Sequence, residues 1–146
     1  MIVLVDTNVL VKSIQQSHAM YDNARTAAAT LLRQKHQLSV VAQNLIEFWA
    51  VATRPLASNG LALSVVDTAA HVKTFQTTFT LLPDTQDIFS EWQRLVEAHA
   101  VSGRQAHDAR IVAAMLVHGV THILTFNTDD FRRYHEITVV NPQDIQ

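Results

Sequence analysis

The sequence predicts an α/β fold, a three-layer α/β/α domain on a central parallel sheet of about five strands. Three observations carry that expectation. The opening Ile2-Val3-Leu4-Val5 is an unbroken apolar run without polar alternation, the pattern of a strand buried on both faces. Short apolar runs then alternate with longer segments of helical periodicity along the whole chain. No internal repeat, low-complexity tract or linker interrupts the alternation, so all 146 residues are expected to form a single domain, long enough to bury roughly two thirds of the unfolded surface.

In order, the first strand ends at Asp6, and a short helical turn follows through Val11 and Ile14. Residues 19–35 read as a helix, with Ala24, Ala27, Ala28, Leu31 and Leu32 at helical spacing and alanine favouring the conformation intrinsically. Leu38-Ser39-Val40-Val41 is a second strand. Residues 43–54 form a third helix rich in large apolar groups, with Leu45, Ile46, Phe48 and Trp49 expected in the core, and Pro55 ends it. Residues 55–60 carry turn residues and form a loop. Ser64, with Asp67 three positions on, opens a helix to about residue 77. Phe79-Thr80-Leu81-Leu82 is a third strand stopped by Pro83, and residues 84–99 form an amphipathic helix through Ile88, Trp92, Leu95 and Val96. After Ser102-Gly103, a helix runs from about 106 to 118 and Gly119 terminates it. His122-Ile123-Leu124-Thr125 is a fourth strand, residues 127–133 a polar turn with a short helical piece, and Thr138-Val139-Val140 a fifth strand before Pro142.

Composition narrows the chemistry. With no cysteine, disulfides, thiolate metal sites and cysteine nucleophiles are excluded, in keeping with a reducing cytosol. No basic-then-apolar leader and no apolar run of about 18 to 20 residues is present, so a soluble, unexported, cytoplasmic protein is expected. Thirteen acidic and eleven basic residues give a net charge of -2, which argues against binding nucleic acid through net positive field alone. A local arginine cluster remains able to grip phosphate, and all the basic residues except Lys12, Lys35 and Lys73 are arginine.

The carboxylates are the informative residues. Asp6 stands at the carboxyl end of a strand, where ligands bind in open α/β sheets; it equally suits the N-cap of the helix that follows. Glu47 sits among apolar residues with Gln43, Asn44 and Val51 as helical neighbours, and either faces a site, snorkels to water or pairs with Arg54. Asp108 shares a helical face with Ile111, Val112 and Met115, so the stripe that builds the core also turns a charge toward it. Dipole stabilisation of about 0.3 to 1 kcal/mol near a helix amino terminus falls short of several kcal/mol of desolvation. An N-cap role is the alternative. Leu124-Thr125-Phe126-Asn127-Thr128-Asp129-Asp130 repeats the opening logic, a strand running out into amides and acids, or else a plain Asn/Asp turn.

Two carboxylates about 4 Å apart repel by roughly 4 kcal/mol at an effective dielectric near 20, and a divalent cation removes that cost. Oxygen donors favour Mg²⁺ or Mn²⁺ over zinc, since the eight histidines are scattered and set no zinc site beside the acids. His107, next to Asp108, is the one placed to support the acids.

Taken together, Val5-Asp6-Thr7-Asn8, Glu47 in the third helix, Gly103 with His107-Asp108-Ala109 leading into Ala113-Ala114, and Leu124-Thr125-Phe126-Asn127 with Asp130-Phe131 resemble the PIN-domain family, specifically its VapC-like toxin ribonucleases. The resemblance covers nearly the whole chain. It implies a PIN-like parallel sheet of about five strands and a metal-dependent, single-strand-specific ribonuclease. Asp6 and Asp108 map onto the chief metal ligands, and Glu47 onto a further ligand or the group that orients the attacking water. Many relatives carry aspartate where this chain has Asn127, so Asn127 or Asp130 is left to complete the catalytic set, with one tight ion and one weaker ion. Asn8 is placed to hold Asp6 by hydrogen bonding. Arg54, Arg104, Arg110, Arg132 and Arg133 are candidates for the RNA backbone. A cognate antitoxin and a homodimer are the partners implied.

Two other classes compete. A phospho-acceptor signalling domain shares the length and the first-strand aspartate but needs an acidic pair there and a lysine after a late strand, and no lysine follows Lys73. A non-catalytic RNA- or partner-binding module with the same fold is the second, favoured by the departure at Asn127.

Overall fold

The computed structural model describes residues 1–146. Five strands, β1 (Ile2–Val5), β2 (Gln37–Val41), β3 (Thr80–Leu82), β4 (His122–Leu124) and β5 (Thr138–Val140), alternate with six helices: α1 (Thr7–Lys12), α2 (Tyr21–Arg33), α3 (Ala42–Thr53), α4 (Val65–Thr78), α5 (Asp87–Ala98) and α6 (Gln105–Val117). The sheet is parallel throughout, in the order β3-β2-β1-β4-β5. The α/β fold read from the apolar alternation is the one observed.

Strand pleating sorts the core into two layers. Val3, Val5, Leu38, Val40 and Leu124 meet α1, α2, α3 and α4 on one face. Leu4, Val41 and Ile123 meet α5 and α6 on the other. Ala109, Ala113 and Ala114 are fully buried, so small side chains line the face that α6 packs inward.

The order of the strands positions the site. From β1 the chain winds outward to β2 and β3, then crosses back to lay β4 against the opposite side of β1. The carboxyl ends of β1 and β4 therefore flank a point where the winding reverses, and loops there diverge to leave a crevice. Asp6 continues the pairing past β1, its amide donating to the Leu124 carbonyl at 3.0 Å, while Thr125 donates to Val140 at 2.9 Å.

Several boundaries shift for local reasons. The second helix ends at Arg33 because Lys35 adopts φ 70°, a left-handed stop. Phe79 belongs to the end of α4, bonding back to Phe75, so β3 begins at Thr80. Residues 84–86 precede α5, and α3 starts at Ala42 with no loop after β2. Ser64 does cap α4, accepting the Asp67 amide at 3.0 Å. The expectation that Ile46 is buried fails: it is 67% exposed, because α3 turns Leu45, Phe48 and Ala52 inward and leaves Ile46 outside that stripe. Trp49 is only half-buried.

The abrupt β2–α3 junction is held by Asn44, which is fully buried; its amide oxygen accepts the buried Val41 N–H at 2.9 Å. Asn44→Ala orphans that donor, at a cost of about 1–3 kcal/mol. The expected fall in Tm is about 2–12 °C, measured by thermal denaturation, and an unchanged Tm would contradict the role given to this side chain.

Candidate active site

Asp6 follows β1 directly and caps α1, with extended backbone angles. Its Oδ1 accepts the Thr7 amide at 2.8 Å, and its Oδ2 accepts Asn8 Nδ2 at 3.1 Å and Thr125 Oγ1 at 2.8 Å. Capping and site placement are thus compatible, since the two oxygens divide the work. Burial nevertheless pushes its carboxyl up to about 6, against the pull of the Thr125 and Thr7 hydrogen bonds, and the charges of Glu47 and Asp130 add to the rise.

Glu47 reaches the same crevice from α3. Thr7 Oγ1 donates to its Oε2 at 3.0 Å and Gln43 Nε2 to its Oε1 at 2.8 Å. The alternative pairing with Arg54 is not formed, because that guanidinium donates to the Asn59 carbonyl at 3.3 Å. Asp108 lies in the first turn of α6 and is half-buried, with Arg104 at the N-cap position, so the capping alternative fails. Its carboxyl is pushed up to about 7, chiefly by burial and then by the charges of Asp6, Asp130 and Glu47, with Arg104 pulling it back. Three acids distant in sequence therefore sense one another.

Asp6, Thr7, Asn8, Lys12, Glu47, Asp108 and Asn127 line a cavity of about 260 Å³ at this edge of the sheet. Asn127 is on the wall. Asp130 is not, although its charge reaches Asp6 and Asp108 from the short 3-10 turn Thr128–Asp130. A larger hollow of about 460 Å³ between α1, α2 and α4 is mostly apolar and contains none of these carboxylates.

The donor set fits a hard divalent cation, because every group is a carboxylate or amide oxygen and the carboxyls, raised by burial and then by one another's charge, would be relieved by a cation. No three acid or histidine side chains close on a common point, so any ion here would draw on water for the rest of its shell. Mg²⁺ is commonly held this way, by one or two carboxylates with several retained waters.

Sequence reasoning missed four groups. Thr125, fully buried, donates to Asp6 and accepts from Asn8 Nδ2 and the Asn127 amide, both at 3.0 Å. Thr7 and Gln43 hold Glu47, and Lys12 lines the cavity. The only signal was position: hydroxyls immediately after an acid or a strand, and an amide one turn before Glu47. Asn8 does hold Asp6, while its Oδ1 accepts the Phe126 amide at 3.1 Å.

Of the arginines, Arg104 and Arg110 stand on the site's side. Arg132 pairs with Asp129, and Arg133 is spent on the His99 carbonyl and Gln105. His107 faces solvent, but its carbonyl accepts Gln43 Nε2 at 2.8 Å. His118 and His122 stand four apart, yet α6 ends between them; His118 meets the Pro83 carbonyl and His122 meets Thr121.

Residues 3–137 match the family model of the PIN domain. Comparison with curated protein sequences finds no match. Among solved structures, the fold is similar to VapBC2 from Rickettsia felis bound to a DNA fragment from their promoter, with a TM-score of 0.71 at 15% identity, covering 97% of this chain and 98% of that one. It is also similar to VapBC-1 from nontypeable Haemophilus influenzae, with a TM-score of 0.71 at 13% identity over 98% and 99%. A third is Mycobacterium tuberculosis VapC20, a sarcin–ricin loop cleaving toxin, with a TM-score of 0.67 at 18% identity over 90% and 95%.

The raised carboxyls set a pH dependence. Asp108 rises from 3.8 to about 7, so the folded chain binds this proton more tightly than the unfolded chain. Its contribution to stability is fully present below pH 3.8 and is lost as pH rises toward 7. In chelator, Asp108→Asn should melt above wild type at pH 8, with the gap narrowing at pH 5. A variant melting at or below wild type at pH 8 would overturn this electrostatic account.

Proposed function

The chain belongs to the PIN domain family, and from that premise we propose that it is a metal-dependent endoribonuclease that hydrolyses phosphodiester bonds in RNA, acting as the toxin of a toxin–antitoxin pair. One observation carries the reading: Asp6, Glu47, Asp108 and Asn127 line a single cavity at the point where the sheet reverses its winding.

Asp6 and Asp108 are the residues to hold Mg²⁺ or Mn²⁺, with the Asn127 amide oxygen as an outer neutral ligand. When bound, the ion makes water easier to deprotonate and offsets charge on the phosphate. Glu47 orients the attacking water, and it can do so because Thr7 and Gln43 each fix one of its oxygens. Thr125 and Asn8 prevent Asp6 from turning away, sharing its Oδ2 between them. Lys12 on the cavity wall and Arg104 beside Asp108 offer positive charge to the phosphate backbone. Asp130 acts through its field on Asp6 and Asp108.

A cognate antitoxin belongs to this reading, supported by the similarity of fold to toxin–antitoxin complexes. A homodimer and a cytoplasmic location complete it. No helix is long and apolar enough to cross a membrane.

Purified chain is expected to cleave single-stranded RNA in Mg²⁺ or Mn²⁺ and to stop in chelator. Asp6→Asn and Asp108→Asn should each abolish cleavage while retaining the circular dichroism of the fold; undiminished cleavage by either defeats the assignment. If wild type binds RNA without cutting it under any metal, the non-catalytic module takes its place.

Metal binding has a readout independent of turnover. At one hundred times its Kd, an ion that binds only the folded form contributes about 2.7 kcal/mol, or roughly 5–11 °C in Tm. Mg²⁺ or Mn²⁺ should produce such a rise in wild type and a smaller one in Asp108→Asn. No shift at millimolar metal counts against the cation site.

A further inference from the structure

Beside the acidic cavity lies a second hollow, of about 250 Å³, lined by Phe89, Trp92, Ala106, His107 and Arg110. Its character differs from the acidic wall. Phe89 is 66% exposed, and its ring lies 5.6 Å from that of Trp92 at an interplanar angle of 32°. The indole N–H donates to the Ala106 carbonyl at 2.8 Å, which ties Trp92 of α5 to the start of α6 and engages polar groups that could otherwise read a ligand's edge.

The cation at the rim is available. Arg110 Nη1 lies 3.3 Å from Gln43 Oε1, and Nη2 lies 3.6 Å from Asp84 with both side chains well exposed. An ion pair so exposed holds its partners weakly.

The hollow and the cavity draw their walls from neighbouring residues of α6. His107 lines one and Asp108, the next residue, lines the other. Gln43 links the two walls, since its Nε2 donates to Glu47 and to the His107 carbonyl while its Oε1 accepts from Arg110.

We propose that this hollow is a nucleobase subsite, taking one unpaired base of the RNA strand whose phosphate lies at the acids. The base packs on Phe89 and Trp92, and Arg110 takes a flanking phosphate oxygen. The proposal rests on the ribonuclease reading and deepens it. A base held in a helix keeps its faces covered by its neighbours, so an aromatic platform selects unpaired strands. With the indole N–H and the Ala106 carbonyl engaged with each other, the platform tolerates any base, because every base offers a π-face. Charge complementarity favours a nucleotide over an apolar partner, since the aromatic rings sit beside a guanidinium and a histidine, and a strand entering an acidic cleft needs cationic purchase next to it.

The test uses the full chain and a single-stranded RNA, alongside a ribose-phosphate oligomer of equal length lacking bases. In Mg²⁺, Phe89→Ala is expected to raise KM for RNA roughly 5- to 150-fold with kcat unchanged, the signature of lost uniform binding. In Ca²⁺, with intact strand verified on a gel, wild type should bind RNA more tightly than the baseless oligomer by a similar factor, and Phe89→Ala should lose the preference. Equal KM values, or an equal loss on both oligomers, overturn the subsite. So does a change of oligomeric state in sedimentation, which would assign the platform to contact with a second copy. Failure of the two readings is distinguishable: a chain that cuts RNA regardless of Phe89 keeps the nuclease and loses the subsite. One that discriminates bases through Phe89 without cutting keeps the subsite and loses the nuclease.

Discussion

The structure is organised around a carboxylate that it buries. Asp6 is only 7% exposed, and an ionised group removed from water needs partners worth several kcal/mol if the fold is to tolerate it. The chain supplies three donors, from the Thr7 backbone, Asn8 and Thr125. They are not enough, because burial still raises the carboxyl to about 6. Adding Glu47, Asp108 and Asp130 within electrostatic reach makes the imbalance worse. A fold that gathers negative charge at one point gives up stability there, the trade that a cation site of the kind proposed above would require.

Sheet topology makes that concentration possible. β1 is central and flanked by β2 and β4, so its carboxyl end is sheltered on both sides while the loops beyond it diverge. Asp6 and Thr125 emerge from neighbouring strands and meet across that gap, 119 positions apart in sequence. The facing helices complete the enclosure. α3 delivers Glu47 because Asn44 locks the first turn immediately after β2, and α6 delivers Asp108 because Ile111, Val112 and Met115 anchor the same stripe in the core.

Much of this was legible in the sequence, and the rest was hidden for identifiable reasons. Unbroken apolar runs marked the strands, and Asp108 stood out because its helical face is shared with core residues, leaving an N-cap role as the only bland alternative. Thr125 gave no comparable sign: a threonine at a strand end is ordinary, and its importance lies in a contact with Asp6 that only the sheet order creates. Ile46 misled in the opposite sense. Its apolar side chain suggested burial, but α3 has room for one inward stripe, and Leu45, Phe48 and Ala52 occupy it. Between Asn127 and Asp130 sequence could not choose, because a 3-10 turn rather than an extended chain decides which side chain meets the cavity.

That turn puts the neutral residue on the wall and leaves the charged one off it, which limits the charge gathered in the cavity. Without a cation, an aspartate at 127 would place a further charge beside a group already raised to about 7, deepening a repulsion the fold barely contains. On the cation reading proposed above, the Asn127 amide oxygen would serve as a ligand without net charge, so attraction for a second ion would be weaker than a fourth wall carboxylate would give. Asp130, though off the wall, still adds its charge to the field at Asp6 and Asp108. On the nuclease reading proposed above, the balance favours one firmly held cation, with any second ion depending on charge brought by the substrate phosphate.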